Sequence, residues 1–141
     1  MKPSIELCDQ GESARLDAFL VERIYEFNAR ATGYVDGRLI AGRIVDDAGD
    51  VVAGFSGHTW GGCCVLTNVW VHESLRGRGY GRALLLAAEA EAVRRRCEQV
   101  VLATHDFQAP GFYAKLGYEA YGRVEGTPRG SGQTWFKKSL A

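Results

Sequence analysis

The chain has 141 residues, the length of one ordinary domain, with 46% apolar, 24% charged and 11% aromatic residues. That apolar content excludes disorder along the whole chain, and the longest near-apolar run, Ala83–Ala92, is too short for a membrane span and carries Glu89 and Glu91. The 17 basic residues balance the 17 acidic ones, which excludes a generally basic nucleic-acid binder.

Charge is nevertheless unevenly placed. Residues 1–70 carry 6 basic and 10 acidic side chains, net −4, and residues 71–141 carry 11 and 7, net +4. An anionic ligand is therefore expected on the second half, and a cationic one on the first. The opening segment has no apolar stretch of signal-peptide length, so the expected location is the cytoplasm. The four cysteines (Cys8, Cys63, Cys64, Cys97) form no CxxC pair and are expected as free thiols. His58, Cys63, Cys64 and His72 fit no usual zinc spacing, and no metal site is expected. No repeat or long linker divides the chain, and one domain is expected over 1–141.

An extended segment at 4–8 comes first. Leu16, Phe19, Leu20, Arg23, Ile24 and Phe27 then follow helical spacing and predict a helix over 12–28, with Arg23 the one polar member of the stripe. Two apolar-rich runs, 38–46 and 51–60, flank the turn-forming DAGD and predict a hairpin. Val51, Ala53 and Phe55 should share one face of its second strand. Gly61–Gly62 leads into a valine-rich strand over 63–71. Residues 79–96 are rich in Ala, Leu, Glu and Arg and make the strongest helix signal. A continuous apolar strand is predicted over 99–104, a short helix over 110–116 with Pro110 near its start, and two strands over 118–124 and 133–139 joined by GTPRGSG. Strand, helix and strand over 65–104 read as a parallel βαβ unit, within a mixed α/β (α+β) fold.

The chemistry concentrates at residues 69–82, VWVHESLRGRGYGR. A strand ends, a glycine-rich turn follows and a helix begins. The first N–H groups of a helix have no internal partner and sit at the positive end of its dipole. Glycines let that backbone approach a phosphate closely, and Arg76, Arg78 and Arg82 add charge at the same place. Neither the GxGxxG dinucleotide fingerprint nor a Walker A loop fits the string.

Arg76-Gly77-Arg78-Gly79-Tyr80-Gly81 resembles the (Q/R)xxGx(G/A) pyrophosphate loop of the GNAT acyltransferase superfamily, and APGFYAKLGY at 109–118 resembles its second signature. The resemblance covers nearly the whole chain. It implies a mixed sheet of about six to seven strands with a central splayed parallel pair, flanked by three to four helices. It also implies acetyl-CoA bound between the splayed strands 63–71 and 99–104. On that footing a β-bulge exposes backbone groups of Val69, Trp70 and Val71 to pantetheine, and Arg76, Gly77, Arg78, Gly79, Tyr80, Gly81 and Arg82 wrap the pyrophosphate. Gln108 occupies the region where family members place an Asn near the cofactor arm. Tyr113 matches the tyrosine whose hydroxyl protonates the departing thiolate.

The implied activity is transfer of an acetyl group to a primary amine of a small molecule or protein, with neither nucleic acid nor membrane as partner and a homodimer expected. A GNAT-like domain that binds acyl-CoA without catalysis is the alternative. The proton acceptor is not identified: the strand 63–71 holds no acid where many relatives carry Glu, and Thr67 and Asn68 are its polar members. His72, Glu73, His105 and Asp106 qualify by chemistry alone. Trp60 and Trp70 are expected as core residues, and GTPRGSG either as a plain connection or as part of an acceptor site.

Overall fold

The computed structural model describes residues 2–140. They form two compact units that divide between Val35 and Asp36. The first contains one helix, α1, over Gln10–Thr32. It is longer at both ends than the apolar periodicity predicts, because capping residues set its limits. Asp9 accepts the Glu12 N–H on its carboxylate at 2.8 Å, and Gly33, at φ +80°, closes the far end by donating its N–H to the Ala29 carbonyl. Arg23 lies 5.0 Å from the centroid of the Phe19 ring and donates to Glu26 at 2.7 Å, so its apolar stem belongs to the stripe while its head is neutralised at the edge. Residues 4–8 form no strand, which removes the first predicted element.

The second unit is built on a six-stranded sheet in the order β1-β2-β3-β4-β6-β5. Its strands are β1 (Arg38–Val45), β2 (Val51–Trp60), β3 (Cys63–Val71), β4 (Gln99–His105), β5 (Glu119–Glu125) and β6 (Gly132–Ser139). All neighbours are antiparallel except β3 and β4. That parallel pair is joined by helix α2 (Tyr80–Arg94), the crossover a parallel connection needs. A 3₁₀ turn (Glu73–Leu75) precedes α2, and a short helix α3 (Pro110–Lys115) follows β4.

Alternation along the strands divides the sheet into two faces. Ile40, Ala53, Phe55, Cys64, Leu66, Val100 and Leu102 are buried on one face, together with Leu84, Leu85, Ala88 and Ala92 of α2 and Tyr113 of α3. Ala88 and Ala92 are fully buried, so their small size brings the α2 backbone close to the sheet. Each fully buried large aliphatic, such as Leu85, stabilises the fold by about 1.5–3 kcal/mol. Val51 leaves this pattern: the register shifts between Ile44 and Val45, and Val51 is exposed. One ionic group enters the core. Glu89 of α2 accepts the Tyr118 hydroxyl and the Lys138 ammonium, both at 2.9 Å, which ties α2 to the residue before β5 and to the end of β6. Burial, with the Glu89 carboxylate beside it, pushes the Tyr118 hydroxyl well above the ordinary phenol range. Among the described residues no helix is long and apolar enough to cross a membrane.

Candidate functional site: a split sheet beside a glycine–arginine loop

β3 and β4 pair over only four residues each, Cys63–Leu66 with Gln99–Leu102. Beyond Leu66 and Leu102 the strands have no mutual register, although β3 runs on to Val71 and β4 to His105. On its other side β3 stays paired with β2 through Val71, and β4 stays paired with β6 through His105. The sheet is therefore split along its middle.

A bulge lies at the start of the split. Ser56 pairs with Asn68 and Gly57 pairs with Leu66, so Thr67 is the extra residue on β3. Thr67 fastens itself to the Ser56 carbonyl through its hydroxyl at 3.1 Å. Any side chain at Gly57 would overlap the Val65 carbonyl oxygen, so a glycine is required opposite the bulge. Past Thr67 the amide directions follow from one bond. His72 N–H donates to the Val52 carbonyl of β2 at 2.8 Å. Amide directions alternate along an extended strand, so the N–H and C=O groups of Val69 and Val71 point away from β2, into the split. Trp70 is the opposite case: it is paired with Gly54, its amide turns toward β2, and its side chain stands on the face away from α2. It is 47% exposed, not the core residue that an aromatic on a strand suggests.

The loop after β3 closes one end of the split. Arg76 Nε donates to the Val71 carbonyl at 3.2 Å, which anchors the loop to the strand end. Gly77 and Gly79 have φ of +76° and +87°, a left-handed backbone that disfavours side chains. A Cβ at either position would meet nothing within 4 Å, so conformation and not crowding demands glycine there. Ala83 N–H closes the first turn of α2 on the Gly79 carbonyl, and the N–H groups of residues 80–82 precede that turn with no helical acceptor. No side chain caps this end. Arg76, Arg78 and Arg82 are all exposed beside it. Uncapped N–H groups, a dipole end and three guanidiniums with open space over the glycines suit a diphosphate.

Gly81 has a different reason for being small. A Cβ there would come 3.1 Å from the Phe112 ring, so its absence lets α3 approach the first turn of α2. That approach carries Tyr113 in with it. Tyr113 is buried, with ring centroids 5.1 Å from Phe112, 5.9 Å from Tyr118 and 6.0 Å from Phe136. Burial raises its hydroxyl above the ordinary value near 10, so it remains a proton donor at neutral pH.

The far end of β4 carries the next group. Gln108 turns its carbonyl oxygen back onto the His105 N–H at 2.7 Å and the Thr104 hydroxyl at 3.3 Å, so that oxygen is engaged in closing its own turn. His105 Nδ1 is 2.7 Å from the Thr127 carbonyl. A carbonyl only accepts, so Nδ1 carries the proton and Nε2 of the neutral ring keeps its lone pair. Asp106 takes both Arg123 nitrogens at 2.8 Å and the Gly132 N–H at 3.1 Å; the Arg123 bonds hold its carboxyl below the usual range. These bonds fasten the GTPRGSG loop to the end of β4. His72 instead turns its ring onto Ser74 within the 3₁₀ turn at 2.7 Å. Cys63, Cys64 and Cys97 are free thiols raised by burial, Cys64 to about 12, which makes them poor nucleophiles.

The structure thus brings residues 69–82 and the ends of β3 and β4 to one split, while Tyr113 packs in the core beside Phe136 of β6. The sequence left His105 as one of several candidates, because its bond to Thr127 joins residues 22 apart and follows no local pattern. Comparison with known proteins agrees with this architecture. The sequence profile of the acetyltransferase (GNAT) family matches residues 6–118. Acetyltransferase Atu2258 of Agrobacterium fabrum is 28% identical over 125 residues, covering 89% of this chain and 91% of that one. Blasticidin-S acetyltransferase of Streptomyces morookaense is 34% identical over 85 residues; the match spans 60% of this chain and 62% of the length of that relative. The crystal structure of an acetyltransferase from Bacillus cereus superposes with a TM-score of 0.79 at 28% identity, over 97% of both chains. With more than half its length matched by the family profile and the split sheet in place, the chain belongs to the acetyltransferase (GNAT) family.

Proposed function

We propose that this protein is an acetyl-CoA-dependent N-acetyltransferase that acts on a primary amine of a small molecule. The observation that carries the reading is the split between β3 and β4 beside an uncapped glycine–arginine helix start. The name of the Streptomyces morookaense relative favours a small acceptor over a protein one.

Acetyl-CoA supplies a thioester whose C–S bond breaks as the amine nitrogen bonds to its carbonyl carbon. Residues 76–82 hold the diphosphate by backbone N–H groups and guanidiniums. Val69 and Val71 offer the pantetheine arm N–H and C=O groups in place of the missing strand, a form of β-augmentation. Trp70 between them keeps this edge in register on β2, and an N–H of the same edge stabilises the carbonyl oxyanion. Gln108 shapes the turn beside the arm. Tyr113 gives its proton to the departing thiolate. His105 Nε2, at the end of β4, accepts the proton that the amine must lose.

Calorimetric titration with acetyl-CoA tests the core of this reading, with ATP and NAD as controls. Micromolar binding of acetyl-CoA alone is expected. Tyr113→Phe should keep that binding and lower turnover by about 10²-fold. Absence of acetyl-CoA binding refutes the reading. Binding without turnover on any amine favours the sensor alternative.

A further inference from the structure

We propose that the face of β1–β3 turned away from α2 holds the acceptor, and that the acceptor is a small amine carrying a flat ring and an acidic group. The inference rests on the acetyl-transfer reading above, whose acceptor it specifies.

Strand register builds the trough. Arg43, Gly54 and Trp70 lie in one row across three strands, and Ala41, Ser56 and Asn68 form the adjacent row. In the first row the centre is empty, because Gly54 has no side chain and a Cβ there would come 2.9 Å from the Gly42 carbonyl oxygen. Arg43 and Trp70 therefore stand as opposite walls, two strand spacings or about 10 Å apart. The resulting trough is open to solvent along its length and has a volume of about 520 Å³.

The walls differ in chemistry. Trp70 is half exposed and offers an indole face for stacking. Its own neighbour His72 meets it edge-on, at 83° and 6.0 Å. Arg43 is exposed and has neither hydrogen bond nor ion pair among the described residues, so its fork is available to a carboxylate or phosphate. In the second row Asn68 donates to the Ser56 hydroxyl at 3.1 Å, which leaves its carbonyl oxygen to accept from an N–H of the ligand. An indole, an unpaired guanidinium and an amide acceptor together describe a flat, acidic amine. They do not describe a polyamine, which Arg43 would repel. This local charge runs against the net acidity of the first half of the chain.

Location connects the trough to the chemistry. Asn68 is the residue next to the Thr67 bulge, where β3 parts from β4. The glycine–arginine loop starts α2 on the opposite face of the sheet. An amine in the trough thus reaches the thioester through the split from the far side, and His105 lies on this same face of β4, in alternation with buried Leu102 and Thr104.

Four probes separate the parts: 4-(aminomethyl)benzoate has ring, amine and acid; benzylamine lacks the acid; 6-aminohexanoate lacks the ring; spermidine is a polycation. Binding is read by saturation-transfer NMR and calorimetry on the full chain, wild type and Arg43→Glu, with Arg43→Lys as the conservative variant. Acetyl-CoA is titrated into each preparation. The expected result is at least tenfold tighter binding of 4-(aminomethyl)benzoate than of the other three. Arg43→Glu should lose at least tenfold and Arg43→Lys less, with acetyl-CoA affinity equal in all three proteins. Equal binding of benzylamine, preference for spermidine, no binding of any probe, or an unchanged Arg43→Glu overturns the proposal. Failure of acetyl-CoA to bind the wild type overturns the transferase reading instead, and the ranking of the probes still decides the trough.

Discussion

Gly79→Ala isolates the conformational requirement of the anion loop. Gly79 has φ +87°, and a Cβ built there meets no atom within 4 Å. The substitution therefore adds no clash and removes no contact. Its whole effect is the cost of a left-handed backbone for an L-residue, about 1–2 kcal/mol. That cost has two places to appear. If the loop keeps its shape in the free protein, stability falls; 141 residues have an unfolding entropy near 0.3 kcal/mol/K, so Tm drops by about 3–7 °C. If the loop relaxes, the diphosphate must restore it, and the Kd for acetyl-CoA rises by about 5- to 30-fold. Scanning calorimetry and ligand titration on one preparation measure both, and the two losses together should come to about 1–2 kcal/mol. Gly111→Ala is the control: it lies in α3, has no positive φ and faces open space, so neither quantity should worsen. If Gly79→Ala matches the wild type in both Tm and Kd, the left-handed glycine does not shape the site and the argument for the loop fails.

Three further outcomes are expected. Glu89→Ala removes the shared acceptor of the Tyr118 hydroxyl and Lys138 ammonium and should cost about 2–4 kcal/mol in urea unfolding, with Glu89→Gln costing less because it keeps an acceptor for Tyr118. His105→Gln should lower kcat by about 10²-fold while leaving acetyl-CoA affinity intact; an unchanged kcat removes His105 from the proton transfer. The Asp106 carboxyl, held low by Arg123, contributes stability that is fully present above the unfolded value near 3.9 and is lost as pH falls through the lower folded value. Asp106→Asn should therefore lose stability at pH 7 relative to the wild type and show a smaller further loss on acidification below pH 4; equal acid sensitivity of the two proteins contradicts that linkage.

Much of this molecule is written locally. The Ala, Leu, Glu and Arg content of residues 79–96 makes α2 a helix, the alternation of Ala53 and Phe55 makes one face of β2, and the glycines of RGRGYGR mark a turn between strand and helix without any tertiary knowledge. Local capping refined the limits: Asp9 and Gly33 extend α1 beyond its apolar stripe. Other features arise only when strands meet. The absence of pairing between 67–71 and 103–105 depends on where a parallel register stops, and no pattern within either strand records it. The free lone pair of His105 depends on Thr127, and the exposure of Trp70 depends on which face of the sheet α2 covers. The trough exists because Arg43, Gly54 and Trp70 align across three strands. Helix periodicity and turn chemistry act over a few residues, so sequence alone determined every element after the extended segment at 4–8, together with the glycine turn before α2. Register and facing are set by long-range pairing, so only the tertiary structure decided how the site is assembled around the split.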